Sequence, residues 1–450
     1  MTKSQRTRLF ILMITIFAFI APLIIMYSQG YRFDVKKFRF VETGGIYVKA
    51  YPSEADVFLN NEIINKTSFF SRDILIKNLL PENHTVKVEK KDYHTWEKEL
   101  TVEPKIVSEA KYIIMFKNNI VFSLIKDDIE NFYPYPNKNH FLLVTASNEL
   151  FSYDLETKKT NKVLDKYQTP YNISNIIFNS NAEKALIETS TGLYYLLSLE
   201  GNISLIKAFN SQIKNVNFDP KDENFFIYQF NNSIYRYNPK AKESPRLISR
   251  EKVDSFTVHH GTIYAFISGN IVKITNLSKE EEIVFKDIFK TEEKSFYEIL
   301  FIENNLFLIE NNKNIYFLNE ENKSFEIKIE SDSEINYTSY FDKILFYNEN
   351  KVWLMFLKKY ETPFFKEAFS VINIHEFSEK IENIKWLNGD YFVFTIDKEA
   401  FVSEIDNRSN INMFSLDKKE ISKIFFNGDN KKLLLLSKNN FLITEEKIMP

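Results

Sequence analysis

The sequence predicts a mainly β chain: a transmembrane helix, then a small β-sandwich, then a β-propeller of eight blades, with seven as the alternative count. Three observations predict it. Leu9 to Tyr27, LFILMITIFAFIAPLIIMY, is nineteen residues without a charge. Residues 44–116 alternate apolar and polar side chains with the period of half-buried strands. From 129 to 450 one short pattern returns eight times at intervals of 39 to 46 residues, the length of a four-stranded propeller blade.

At roughly 1.5 Å per helical residue the apolar run is about 28 Å long, close to the ~30 Å hydrocarbon core of a bilayer. A buried helix seldom stays apolar on every face for that length, and Pro22 is tolerated inside a membrane span. Residues 1–8 are then a cytoplasmic tail and 9–27 the span. Lys3, Arg6 and Arg8 precede it, but Arg32, Lys36, Lys37 and Arg39 follow, so local charge counting does not set its direction. A short basic segment, an apolar run and a long polar chain form the pattern of an exported signal anchor. That pattern predicts a single-pass cell-membrane protein with a cytoplasmic N-terminus and extracytoplasmic C-terminal domains. Cleavage at Ser28-Gln29-Gly30 is the rival outcome. The run exceeds the about 7 to 15 apolar residues of a cleaved signal, which favours retention.

A formal net charge of −3 provides no general attraction to nucleic acid. The absence of cysteine excludes disulfides, thiolate metal ligands and a cysteine nucleophile. The 43 Phe accompany abundant Asn, Lys and Ile, a compositional bias rather than a functional signature. With only nine Gly, Asn and Asp must supply most turns.

Residues 28–43 read as a juxtamembrane linker. Tyr31, Arg32, Phe33, Lys36, Lys37, Phe38, Arg39 and Phe40 form a basic-aromatic collar within it, suited to a bilayer interface with anionic head groups, or equally a plain linker. Beyond it Ile46, Val48 and Ala50 alternate with Tyr47, Lys49 and Tyr51 until Pro52 ends the strand. Asp56 to Leu59 runs into a hairpin turn at Asn60-Asn61, and Leu79-Leu80-Pro81 marks another turn. Val86 and Val88 face one way, Trp96, Leu100 and Val102 share a face, and Tyr112 to Phe116 closes a sandwich over 44–116.

Two stretches, GIYVKAYPSEADVFLNNEIINKTS and NLLPENHTVKVEKKDYHTWEKELTV, resemble the PEGA domain. Pro52 and Ala55 match the ends of its naming motif, while Ser53 and Glu54 replace the Glu and Gly between them. Asp92 stands where the family usually has Gly before Tyr93, and Glu82 replaces the turn glycine after Pro81. The resemblance implies an extracytoplasmic β-sandwich of bacterial and archaeal surface proteins, associated with attachment or scaffolding. The order of span, sandwich and repeats is also similar to that of single-pass surface proteins.

Residues 117–450 are the expected propeller. The repeats open at Ile129, Ile173, Ile213, Val253, Phe296, Ile335, Ile381 and Ile421, and the pattern is clearest in ISNIIF (173–178), IKNVNF (213–218) and IENIKW (381–386). Thr338 and Pro134 interrupt it in two copies. Second strands are expected at Phe141 to Ala146, Asn224 to Tyr228, Lys343 to Tyr347 and Lys432 to Leu436. Third strands follow at Leu193 to Leu197, Asn314 to Leu318 and Val352 to Phe356, and weaker fourth strands at Pro245 to Ser249 and Phe325 to Ile329. The eighth repeat has only three strands, and Asn119 to Ile125 is the expected fourth, closing the ring. The Gly-His and Trp-Asp signatures of WD40 repeats are absent.

The six histidines form no HExxH pair, and there is no GxSxG elbow or GxxxxGK[ST] loop. His259-His260-Gly261 ends the first strand of the fourth repeat, where a loop reaches a propeller face. Tyr93 and Trp96 offer rings for stacking on a sugar, against the simpler role of packing the sandwich. Glu280 to Glu282 and Glu320-Glu321 read as solvated turns. No catalytic, cofactor or metal set emerges. The expectation is a non-enzymatic, membrane-anchored binding or scaffolding protein whose propeller meets a protein or cell-wall glycan, with Tyr93, Trp96, His259 and His260 as candidate ligand contacts. The alternative is an extracytoplasmic propeller enzyme acting on polysaccharide. Convergent His, Asp, Glu or Arg at one channel mouth would favour the enzyme, and an apolar, Asn-lined mouth the binding protein.

Overall fold

The computed structural model describes residues 3–450 apart from 137, 138, 171, 208, 242, 250, 251, 277–279, 362 and 417. Met1 and Thr2 of the expected tail lie outside the described residues. One α-helix spans Lys3–Ser28 with Pro22 inside it. From Gln5 to Ser28 it is long and apolar enough to cross a membrane, and none of it is buried in protein.

The juxtamembrane segment 28–43 carries regular structure. Tyr31–Asp34 pairs antiparallel with Arg39–Glu42 in a β-hairpin. Asp34 Oδ1 accepts the backbone N–H groups of Lys36 (2.9 Å) and Lys37 (3.1 Å), which shapes the turn and holds the carboxyl below its ordinary range. The short charged and aromatic strands bury no apolar stripe of their own, so periodicity did not reveal them.

Two sheets follow. In one, Gly44–Tyr51 lies between antiparallel Asp73–Leu79 and parallel Val107–Ile114. The other orders Glu62–Lys66, Asp56–Leu59, Asn83–Glu89 and Trp96–Thr101. Their inward side chains, among them Ile46, Val48, Val57, Val86, Val88 and Trp96, form one buried core. Glu62–Lys66 is exposed throughout and Asp73–Leu79 buries only Ile76, which is why neither carried a readable pattern. The last strand begins at Val107, earlier than Tyr112. Asn60 and Asn61 take left-handed backbone (φ +50° and +70°) in the expected hairpin. Glu54 (φ +58°) and Asp92 (φ +68°) do so too, at two positions where the resembled family carries glycine.

Among the described residues, eight four-stranded antiparallel sheets make up the rest. Their first strands begin at Ile129, Ile173, Lys214, Ser255, Tyr297, Asn336, Ile381 and Ile421, within two residues of the repeat starts. Neighbouring sheets share apolar layers all the way round, for example Leu186 against Phe226 and Phe307 against Phe346. The eighth sheet meets the first through Leu434 and Phe441 packed with Phe132 and Phe141. Phe122–Lys126 completes the eighth sheet by pairing antiparallel with Asn440–Thr444. First strands of neighbouring sheets approach one another, as Asn336–Tyr340, Ile381–Trp386 and Ile421–Asn427 do, and so surround an axis. Two local readings change. Phe296 is 53 % exposed and Tyr297 points inward in its place, and Glu280–Phe285 is a strand rather than a turn. Glu320 and Glu321 do lie in a turn.

Phe441 is fully buried where the ring closes. Phe441→Ala should cost about 3–5 kcal/mol, read as a lower urea midpoint for the full chain in detergent. Substitution at exposed Lys438 should leave the midpoint within about 0.5 kcal/mol of the parent.

Candidate binding site at the propeller axis

The third position of each repeat lies on the first strand, next to the axis. It is Asn131, Asn175, Asn215, Ser255, Glu298, Tyr337, Asn383 and Lys423 in turn. In the four Asn copies the first strand carries a β-bulge against the second. Asn215 (φ +51°) and Asn383 (φ +58°) adopt left-handed backbone there, while the Oδ1 atoms of Asn131 and Asn175 accept the next residue's N–H at 2.9 and 2.8 Å. An Asn at this position therefore has a local structural reason, since its side chain satisfies backbone that the bulge frees.

These positions also communicate across sheets. Lys423 Nζ donates to Asn131 Oδ1 (2.8 Å) and the Phe132 carbonyl (2.7 Å) of the first sheet. Ser255 Oγ accepts the N–H of Ile299 (3.1 Å) in the next sheet. Solvent reaches Glu298, Tyr337 and Lys385, yet surrounding protein shifts all three. Burial raises the Glu298 carboxyl and the Tyr337 phenol and lowers the Lys385 ammonium. Burial, with Lys385 adding repulsion, brings Lys423 down to about 8.

At one end of the first strands of the sixth to eighth sheets lies a cavity of about 460 Å³, bordered by Tyr340, Lys385, Trp386, Asn388, Phe425 and Phe426. Trp386 is oriented by its Nε1 donating to the Thr338 carbonyl at 3.0 Å. At the other end of these strands a groove of about 680 Å³ is bordered by Glu334, Glu349, Lys380, Glu382 and Asn383, with Lys380 and Glu382 paired at 2.7 Å. Among the described residues no three His, Asp or Glu side chains converge as a metal site. The aromatic cavity, with Lys385 and Lys431 on its border, can enclose a flat or anionic group.

The structure places the four sequence-predicted contacts in two separate regions. Trp96 is only 1 % exposed and donates Nε1–H to Glu404 Oε2 at 2.9 Å, so its ring is not a stacking surface. Tyr93 is half-buried and borders a groove of about 240 Å³ between the N-terminal sheets and the closing sheet. His259 stacks on Phe301 (ring centroids 4.2 Å apart), and burial, with His260 adding, keeps its imidazole below the ordinary range. His260 is exposed, with Nε2 3.3 Å from Asn304 Oδ1.

Sequence reasoning missed a buried polar junction. Lys98 lies between Trp96 and Leu100 on the inward face of its strand and is 1 % exposed. Its Nζ lies 2.6 Å from Glu404 Oε1 and 3.7 Å from Asp406 Oδ1, both of the seventh sheet region. Arg408 grips Asp406 through Nε and Nη2. Against the opposing effect of burial, Arg408 and Lys98 hold Asp406 below the usual carboxylate range. The fully buried Tyr391 accepts the Ile114 N–H at 3.1 Å. Nearby Asp390 is pushed up to about 6 by burial. A lysine in register with buried apolar neighbours was the available signal, because such a charge needs a partner from elsewhere.

Glu404→Gln leaves Lys98 short of its closest anion and should cost about 3 kcal/mol in urea unfolding, with Lys98→Met added to it restoring most of the loss. Two groups set opposite pH trends. His375, 2.7 Å from Ser403 Oγ, is held down to about 4 by burial, so its contribution is intact above pH ~6.5 and is lost as pH falls towards 4. Asp390 is raised, so its contribution is present below pH ~4 and lost as pH rises through about 6. Asp390→Asn should therefore stabilise the chain at pH 7.5 and not at pH 4, and His375→Gln should flatten the acid-side decline.

No family model matches the chain, and no curated protein matches it. Solved structures do. The C-terminal WD40 domain of Sif2 aligns with a TM-score of 0.51 at 11 % identity, covering 72 % of this chain and 99 % of that one. BamB from Moraxella catarrhalis aligns at 0.46 and 9 %, covering 72 % and 96 %. At 11 % identity the Sif2 alignment shows a likeness of fold alone, and that fold is a β-propeller.

Proposed function

We propose that the chain is a membrane-anchored, extracytoplasmic interaction protein of the cell surface. The helix is its retained anchor, the two N-terminal sheets a PEGA-like sandwich, and the eight sheets an eight-bladed propeller presenting a binding face to a protein or cell-wall glycan. Eight apolar layers between successive sheets support the blade count. Left-handed backbone at Glu54 and Asp92 supports the PEGA likeness, because those positions demand what glycine supplies.

The observation that carries the binding reading is the axis itself. Half of its third-position residues are Asn engaged with backbone or neighbouring side chains, and the adjoining cavity is aromatic with two lysines, Lys385 and Lys431. An aromatic, lysine-bordered mouth of this kind suits recognition of a ligand. The propeller fold fits the same role, since connections from several sheets meet on one rigid surface.

Crosslinking and pull-down from the native membrane should capture a partner with the parent chain, and Lys385→Glu should lose at least about tenfold of that capture, or ~1.4 kcal/mol. Equal capture by the variant would remove the cavity from the proposal, and turnover of a cell-wall glycan by the purified chain would replace binding with catalysis. Added protease should cut the repeat region on intact cells. Full protection would reverse the topology.

A further inference from the structure

We infer that the hairpin of residues 31–42 is a second membrane contact, whose aromatic face enters the head-group region of an anionic bilayer beside the helix and fixes how the N-terminal sheets stand on it. This rests on the reading of the helix as a retained anchor. Phe33 and Phe40 are direct cross-strand partners with ring centroids 5.2 Å apart, and Phe38 closes the turn 5.4 Å from Phe33. The three rings are 43 %, 42 % and 82 % exposed, and Val35 at the tip 73 %. Asp34 lies among the protected residues of the same hairpin, 4 % exposed. A rigid hairpin that turns its aromatic rings outward calls for a cover.

Position names that cover. At one side Arg32 Nη1 donates to the Tyr27 carbonyl at 3.0 Å and its guanidinium lies 3.6 Å from the Tyr27 ring centroid, while Thr43 Oγ1 donates to the Gly30 carbonyl at 2.6 Å. The hairpin is thus tied to the last turn of an apolar helix. At the other side Lys36 pairs with Glu82 (3.3 Å) and Glu42 with Lys105 (2.6 Å), so both its tip and its base are fastened to the same end of the N-terminal sheets. A helix leaving the hydrocarbon at Tyr27 brings the hairpin to head-group depth, where aromatic side chains partition favourably.

Charge agrees with that location. Four basic residues, Arg32, Lys36, Lys37 and Arg39, outnumber the two acids of the hairpin, Asp34, which accepts backbone N–H groups and lies 3.7 Å from Lys37, and Glu42, held by Tyr31 and Lys105. The surplus of positive charge fits anionic head groups.

The test uses the full chain in vesicles of phosphatidylcholine with or without about 30 % phosphatidylglycerol. Phe38→Trp reports on the hairpin and, in a separate variant, Phe17→Trp on the helix, with the parent's own tryptophan emission subtracted. Lipids brominated near the head group should quench the Phe38→Trp signal at least twofold, more so with phosphatidylglycerol, and lipids brominated deep in the chain should quench Phe17→Trp. Quenching of Phe17→Trp without Phe38→Trp overturns the hairpin contact and leaves the anchor standing. Quenching of neither overturns the anchor and the contact together. A Phe38→Trp signal unquenched in pure lipid but blue-shifted in native membranes assigns the face to a protein and also overturns the inference.

Discussion

Closure of the ring is the constraint on which the rest depends. Phe122–Lys126 supplies the outer strand of the eighth sheet, whose other three strands come from the far end of the sequence. Without it Asn440–Thr444 has a free edge, and an unpaired edge invites pairing with another chain. The closing strand follows the N-terminal sheets by a few residues, so the pairing that shuts the ring also fixes where those sheets attach.

The junction strengthens that attachment with chemistry rather than area alone. Lys98, Glu404, Asp406 and Arg408 form a chain of opposite charges beside the buried Trp96 and Tyr391. Apolar packing tolerates small slips between surfaces, whereas a buried ammonium tolerates few alternatives to the carboxylate opposite it. The network therefore adds directional contacts to the apolar docking of the N-terminal sheets. Asp390 bears the cost of the site, its burial displacing the carboxyl equilibrium upward.

The repeats were legible because each first strand must bury the same positions against both neighbours, and Ile129, Ile381 and Ile421 do so almost completely. The inward register around Val86, Val88, Trp96 and Leu100 was legible for the same reason. Strands without an apolar face were not, as Glu62–Lys66 and the hairpin at 31–42 show. The axial residues were half legible. The Asn of the motif is visible by eye, but its place in a ring appears only when the same position is followed through copies that hold Ser255, Glu298, Tyr337 and Lys423 instead. The partners of Lys98 lie some three hundred residues away, beyond any local pattern.

A ring shut by its first and last strands also has a history during synthesis. Seven sheets can form from local hairpins as the chain emerges, but the eighth waits for residues 440–444, while residues 122–126 have long been made. Contacts so distant in sequence form late and slowly. Throughout that interval the early strand presents an open edge, and the nascent chain is most exposed to mispairing just before it becomes most secure.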